Sequence, residues 1–423
     1  MTSQEAQPGE HDHQLPILGQ DDTDPWGLPE LSPSTLIGFF DGDQPSVDQV
    51  LERLSGAFGA GVEFHGEPPE RPEQAFWAVV LELEGHGLPL VLWSEPVEQE
   101  AMQVPPFAKS ARVMIGVQSM LDPDDPLESW RLMVRLLGVT ADDLSAMLDI
   151  ETEQWFSGEE VAVRLLGGEA APEETMLFRI HAASPVEEPR EGDKVWLRTL
   201  GLHRCGRPEL EMLEVEGPAL PLAHDLLEAV AALCIQRGVP EPGFPFEAGV
   251  NVALSLQPLS EQLELLSDNA VGTLAQRIQM GGTEGSGNPM LAGRAIVCGA
   301  EPRGSFRAIH TWPIEAVGHL ERGEGGLERT ENWTRSMSAE ARRLWPRLLE
   351  GVRGGLAAQA CIALAAGEAG REQVWIQVDS ATESEVTGSL LSRPAQLELA
   401  PGDVLTASLD DLVDWRLMEQ QNA

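Results

Sequence analysis

Tyrosine is absent from this 423-residue chain, and only two of its 28 basic residues are lysines, Lys109 and Lys194. Each shortage removes a chemistry. No tyrosine can act as acid or nucleophile, and Schiff-base catalysis has two candidates at most. Neither lysine stands in a Gly-rich G-K-[S/T] context, which excludes a P-loop for nucleotide phosphates. Against 69 acids the formal net charge is -41. Such a chain repels the phosphate backbone, whose neutralisation by Lys and Arg supplies most non-specific nucleic-acid affinity, and it repels anionic membranes likewise. Nucleic acid held by phosphate contacts and membrane surfaces are thus not the expected partners.

Other signatures are missing as well. No G-x-S-x-G, H-E-x-x-H or G-x-G-x-x-G pattern occurs, so the common hydrolase, zinc-protease and dinucleotide motifs are lacking. The four cysteines, Cys205, Cys234, Cys298 and Cys361, form no close pair. They read as reduced thiols of a cytoplasmic protein without structural zinc. The first residues have neither a basic start nor an apolar run, so no secretory signal is expected. The longest weakly polar stretch, residues 355–367, falls short of the roughly 20 residues of a membrane helix. No metal and no cofactor is expected.

What is present is enough hydrophobic material, 42% of residues, to bury a core, and enough length for about three domains. The acid is unevenly spread. Residues 1–30 carry seven acids and no base and read as a disordered acidic tail. Residues 269–353 hold nine acids and eleven arginines, a local charge of +2, whereas residues 354–423 return to eleven acids and three bases. The expected layout is a tail over 1–30, a first α+β domain over 31–157 and a second over 158–268. An arginine-rich connecting region over 269–329 and a C-terminal domain over 330–423 complete it.

The fold class is α+β: two consecutive mixed strand and helix domains, then a small C-terminal sheet preceded by a helix. Residues 35–40 suit a buried strand. Ser46 with Gln49 is a capping-box pattern opening a helix, in which Val47, Val50, Leu51, Leu54 and Phe58 recur at helical spacing. Residues 62–65, 75–84, 88–93 and 112–117 read as strands. A helix follows around Leu127, Trp130, Val134 and Leu137, and another behind a Thr140 cap with Leu144, Met147 and Leu148. The second round has strands near 161–166, 175–181, 195–202 and 210–215, a helix over 223–234 closed by Gly238 and Pro240, and a strand over 250–256. Residues 281–289, rich in glycine, read as a linker or exposed loop. A helix starts near Ser338 and its pattern continues through 357–366, before strands at 374–378, 386–391, 402–408 and 410–415.

Two stretches carry a resemblance. Glu372-Gln-Val-Trp375, Gly388-Ser-Leu390, Arg393-Pro394, Gly402-Asp403 and Asp414-Trp415 resemble a bacterial domain-of-unknown-function family, number 2314, over about residues 330–420. Trp375, Gly388, Pro394, Gly402, Asp403, Asp414 and Trp415 are its structural motif. Upstream, residues 196–211, with Trp196, Gly201, Cys205, Pro208 and Glu211, are similar to a longer uncharacterised bacterial family, number 4026, that ends in the same domain. The chain departs from these patterns at Arg198, Leu200, Gln373 and residues 361–366. Related small bacterial domains occur among proposed immunity proteins of toxin systems, so the resemblance implies protein binding and no reaction.

Three constellations could carry chemistry. His203 and Cys205, two apart, share one face if they lie on a strand and could form a nucleophile or half a metal site; the alternative is a turn at Gly206 and Pro208. Glu209 and Glu211 lie on one strand face and could act as acid and base or hold a cation. The best binding candidate is the group Arg303, Arg307, His310 and Trp312, since arginine grips carboxylates in bidentate fashion and Arg and Trp dominate interface hot spots. Those arginines could equally neutralise the chain's own acids. The expected function is non-enzymatic protein binding, immunity-like or adaptor, with a basic partner. The alternative is an enzyme of unknown class using a His/Cys/Glu site near residues 203–211.

Overall fold

The computed structural model describes residues 25–84, 86–97, 104–167, 172–184, 192–262, 270–273, 276–277, 292–300, 314–366, 371–394 and 396–418. The chain is α+β and divides into two units, one of Met1–Ser32 with Phe178–Glu328, the other of Pro33–Leu177 with Arg329–Ala423.

The second of these units holds two sheets. The first sheet contains β1 (Ser34–Phe40), β2 (Val62–Gly66), β3 (Trp77–Leu83), β4 (Leu90–Pro96), β5 (Val113–Ser119), β6 (Leu144–Asp149) and β7 (Gln154–Ser157). Its order is β2-β3-β4-β5-β1-β6-β7, and every pairing is antiparallel. Helix α1 (Val47–Phe58) opens on the full capping box of Ser46 and Gln49. Helix α2 (Pro126–Thr140) buries Trp130, whose indole Nε1 donates to the buried Asp149 Oδ2 at 2.8 Å and ties the helix to β6.

Among residues 33–177 three assignments differ from the sequence reading; the shortest is 175–177, read as the start of a strand, which form a 3-10 turn ahead of the strand Arg179–Ala183. Residues 144–149 are strand β6, not helix: four of the six are buried between β1 and β7, and so short an apolar run satisfies either period. Residues 161–165 are helical rather than extended, continuing the turn α3 (Gly158–Glu160) that the Ser157–Glu160 capping box starts. The two valines favoured a strand; the cap decided against it.

The C-terminal sheet is an antiparallel array of β16 (Ala358–Ala365), β17 (Arg371–Ala381), β18 (Glu385–Leu390), β19 (Val404–Ser408) and β20 (Leu412–Leu417), ordered β19-β18-β17-β16-β20. A 23-residue helix, Glu331–Arg353, packs Ala341, Trp345, Leu348 and Leu349 against its core and carries Pro346 on its exposed side. Gly354 and Gly355, the latter at φ +82°, end this helix. The apolar residues beyond are therefore the interior strand β16, between β17 and β20, and not further helix, because a strand buried on both faces reads as a continuous hydrophobic run. The helix start is anchored by Glu174, which is buried and accepts from Thr330 Oγ1 at 2.6 Å and Asn332 Nδ2 at 2.8 Å. Trp415 Nε1 donates to Ala341 O at 2.9 Å, joining β20 to the helix, and Asp414 Oδ1 accepts from the Trp415 amide at 2.7 Å. Arg416 stacks on Trp375 at 4.7 Å, and Pro394 is buried. A Cβ on Gly388 would meet Gln377 O at 2.2 Å, Gly402 has φ +92°, and Asp403 Oδ2 accepts from the Ala400 amide.

The other unit is built on a six-stranded sheet ordered β11-β13-β14-β10-β9-β8. These are β8 (Arg179–Ala183), β9 (Lys194–Leu200), β10 (Glu209–Glu216), β11 (Phe246–Glu247), β13 (Ala253–Pro258) and β14 (Arg294–Gly299); the short β12 (Gly249–Val250) pairs apart with β15 (Gly326–Leu327). β10 and β14 run parallel, and the other pairs are antiparallel. Residues 294–299, read from the sequence within a connecting region, thus lie in the middle of this sheet, where their apolar run is buried. Helix α4 (Leu220–Arg237) packs against β8, β9 and β10. With the turn before it, it is long and apolar enough to span a membrane, but most of it is buried within the protein, as befits a core helix. Of the tail expected over 1–30, residues up to 24 lie outside the described part; Trp26 is buried and its carbonyl accepts from the Gly293 amide.

Gly116 on β5 lies under the Trp93 ring of β4, where a Cβ would meet Cζ2 at 2.1 Å, whereas Gly56 on α1 faces open space. Gly116→Ala is expected to lower stability by about 1–3 kcal/mol, and Gly56→Ala to raise it by up to about 1 kcal/mol. Urea titration of the two variants measures the contrast.

Candidate functional site

The most unusual chemistry lies on one face of the six-stranded sheet. In the β9–β10 register Glu211 stands opposite Arg198, and in the β10–β14 register Glu209 stands opposite Arg294. Paired residues project from the same side, so Trp196, Arg198, Glu209, Glu211 and Arg294 share that face. Beyond them along the same strands lies an apolar patch of Trp196, Leu213, Ile296 and Cys298, covered by Leu259 and Val271.

Glu211 is fully buried. Arg277 grips it in bidentate fashion, Nη1 to Oε1 at 2.8 Å and Nη2 to Oε2 at 2.5 Å, and is itself buried. Arg294 Nη1 donates to Oε1 at 2.9 Å, and Trp196 Nε1 to Oε2 at 2.8 Å. The Arg277 guanidinium also lies over the Trp196 ring at 4.3 Å, and its Nε donates to Gly272 O at 2.7 Å. Burial alone would raise the Glu211 carboxyl; the hydrogen bonds and charges of Arg277 and then Arg294 outweigh it and hold the group below the usual carboxylate range.

Glu209, two residues earlier, has a separate set of partners. Its Oε1 accepts from the Gly201 amide at 2.8 Å and from His203 Nδ1 at 2.8 Å, and its Oε2 accepts from Thr199 Oγ1 at 2.7 Å. Here too burial opposes ionisation, and the His203 and Thr199 hydrogen bonds bring the carboxyl below its ordinary value. The two carboxylates share a face, as the alternation predicts, but they do not face each other as an acid–base pair.

His203 and Cys205 do not lie on a strand. Gly201 at φ +113° ends β9, and Leu202–Cys205 form a 3-10 turn closed by Gly206 at φ +68°. At three residues per turn, side chains two apart diverge. His203, one-third exposed, turns to Glu209, whereas Cys205 is fully buried with Sγ 3.9 Å from Gly201 O. The turn alternative, marked in the sequence by Gly206 and Pro208, is the one the chain adopts. All four cysteines are buried and no disulfide joins them; burial pushes the Cys234 and Cys361 thiols up to about 12.

Arg303, Arg307, His310 and Trp312 lie outside the described residues, as does the glycine-rich stretch 281–289. Arg277 and Arg294 went unnoticed in the sequence because nothing local links them to Glu211, from which they lie 66 and 83 residues away. In the other unit, Glu63, His65 and Glu82 on β2 and β3 present carboxylate and imidazole atoms that all lie within 4.8 Å of one another. These three exposed side chains could offer ligands to a divalent ion.

Within this α+β chain, the segment that includes most of the buried ionic cluster is also the one with a recognisable relationship. Residues 180–287 match the family described as "Protein of unknown function (DUF4026) C-terminal". Trp196, Arg198, Glu209, Glu211 and Arg277 all fall inside the match; Arg294 lies just beyond it. No curated protein and no solved structure matches the chain.

Because Glu211 is sealed with its partners, Glu211→Gln should leave Arg277 and Arg294 facing a neutral amide and cost about 3–5 kcal/mol. The depressed Glu209 and Glu211 carboxyls also set a pH dependence. As pH falls below about 4.3 the unfolded chain takes up protons before the folded one does, so this stabilisation, complete at neutral pH, is lost as pH drops through the folded values. Melting curves from pH 7 to 3 should show a shallower acid decline for Glu209→Gln than for the native chain.

Proposed function

We propose that this chain is a cytoplasmic bacterial protein that works by binding another, basic protein, as an immunity-like or adaptor protein, rather than by catalysis. The resemblance of about residues 330–420 to family 2314 belongs to the same reading. The observation that carries it is the edge of the seven-stranded sheet at β2, which among the described residues pairs with β3 alone. β2 ends that sheet with Glu63, Phe64 and His65 all exposed, Phe64 by 49%, and Glu82 beside them on β3. An open edge offers main-chain hydrogen bonds to an added strand, an exposed aromatic offers an anchor, and flanking acids favour a basic partner. The commitment of Cys205, Glu209 and Glu211 to internal contacts supports the reading from the other direction.

One observation favours the alternative of an enzyme near residues 203–211. Glu209 orients the partly exposed His203 imidazole at 2.8 Å, as a carboxylate orients a general base. The buried Cys205 thiol is a poor nucleophile for such a base.

Affinity capture from the native host at moderate and high salt tests the binding reading. A basic protein should be retained at moderate salt and released at high salt, and Phe64→Glu should abolish its retention. Absence of a stable partner at both salt concentrations would sink the proposal.

A further inference from the structure

Among the described residues, the ionic cluster of the six-stranded sheet does not balance. Arg198, Arg277 and Arg294 face Glu209 and Glu211, three cations against two anions on one sheet face, in a chain whose net charge is -41. The surplus is not shared evenly. Arg277 is sealed inside and both its Nη groups are used by Glu211. Arg294 keeps one-fifth of its side chain exposed and, among the described residues, donates through Nη1 alone.

Arg198 is the odd member. It is half-buried, its guanidinium lies over Trp196 at 5.0 Å, and among the described residues its side chain makes no hydrogen bond; its Nε is enclosed and unsatisfied. Burial and then the charge of Arg294 push its guanidinium down from its usual value, against the opposing pull of Glu211 and Glu209. A half-buried cation whose enclosed N–H has no acceptor is costly. The stack on Trp196 fixes its position, so the group is organised in advance for an incoming anion. β10 runs between β9 and β14, so Arg198 and Arg294 flank the Glu211 carboxylate from either side.

We infer that Arg198 and Arg294 form a receptor for an oxyanion, a carboxylate or phosphate group of a ligand, with the Glu211–Arg277 pair as its rigid floor. Planar guanidinium groups bind both kinds of oxyanion through paired N–H donors. This goes beyond the protein-binding reading and does not depend on it, since it lies on a different sheet in the other unit.

Calorimetric titration of the full chain with inorganic phosphate and with succinate, in a chloride background of constant ionic strength, tests the inference. At least one probe should bind saturably at one site and raise the melting temperature in step with its concentration. Arg198→Gln should weaken that probe at least tenfold, and Arg198→Lys, which keeps the charge without the fork, should fall between. A preference for phosphate assigns a phosphoryl ligand, and a preference for succinate a carboxylate. If neither probe saturates, or Arg198→Gln binds as tightly as the native chain, the inference is wrong.

Discussion

The six-stranded unit depends on keeping the buried Glu211 carboxylate ionised. Removing a carboxylate from water costs several kcal/mol even after relaxation, and only close, well-directed donors offset that cost. The chain supplies three: Arg277, Arg294 and the Trp196 indole. The requirement reaches well beyond the cluster. Arg277 must return to β10 across 66 residues and Arg294 across 83, so one side chain fixes both ends of the segment between them. β14, which begins at Arg294, is thereby held beside β10 as the only parallel pairing among the described strands.

The same requirement divides the sheet face. Towards one end Trp196 lies among Leu213, Ile296 and Cys298; towards the other its indole N–H and ring serve the ions. Tryptophan suits this boundary because its body is apolar while its rim donates and its face attracts cations. Glu209 then secures the adjoining turn by accepting three donors on Oε1, the Gly201 and His203 amides and the His203 ring. Residues that look like a catalytic group in the sequence are, in this arrangement, the fastening of a turn to a strand.

Much of the fold could be read in the sequence, and the failures have physical causes. Ser46 with Gln49 announced α1 because the capping box is a local interaction. The first five strands of the first sheet were legible between their glycines and prolines. Residues 144–149 and 357–366 were misassigned because interior strands carry apolar residues on both faces and lose the two-residue period. The site was half legible: Glu209 and Glu211 stood out as neighbours, and Arg198 as a departure from a family pattern. Arg277 and Arg294 did not, since pairing across many residues leaves no trace in local spacing.

Charge shows the same division between local and long-range order. Residues 269–353 are the one segment with a positive balance, +2, and so invited a reading as a binding surface. In the described part of that segment several arginines have nearby carboxylates: Arg277 and Arg294 take Glu211, Arg322 takes Glu324, and Arg343 takes Glu340. Cations spent in this way do little to neutralise the remaining acids, so the field that a partner meets stays strongly negative. Such a field speeds encounter with a basic protein and is weakened by salt. Inside the ionic cluster the sign reverses over a few ångströms, where Arg198 and Arg294 stand on strands to either side of a carboxylate that Arg277 already grips. An oxyanion must cross a repelling surface to reach them, and its binding there rests on direct guanidinium contacts, which salt screens far less than it screens the outer field.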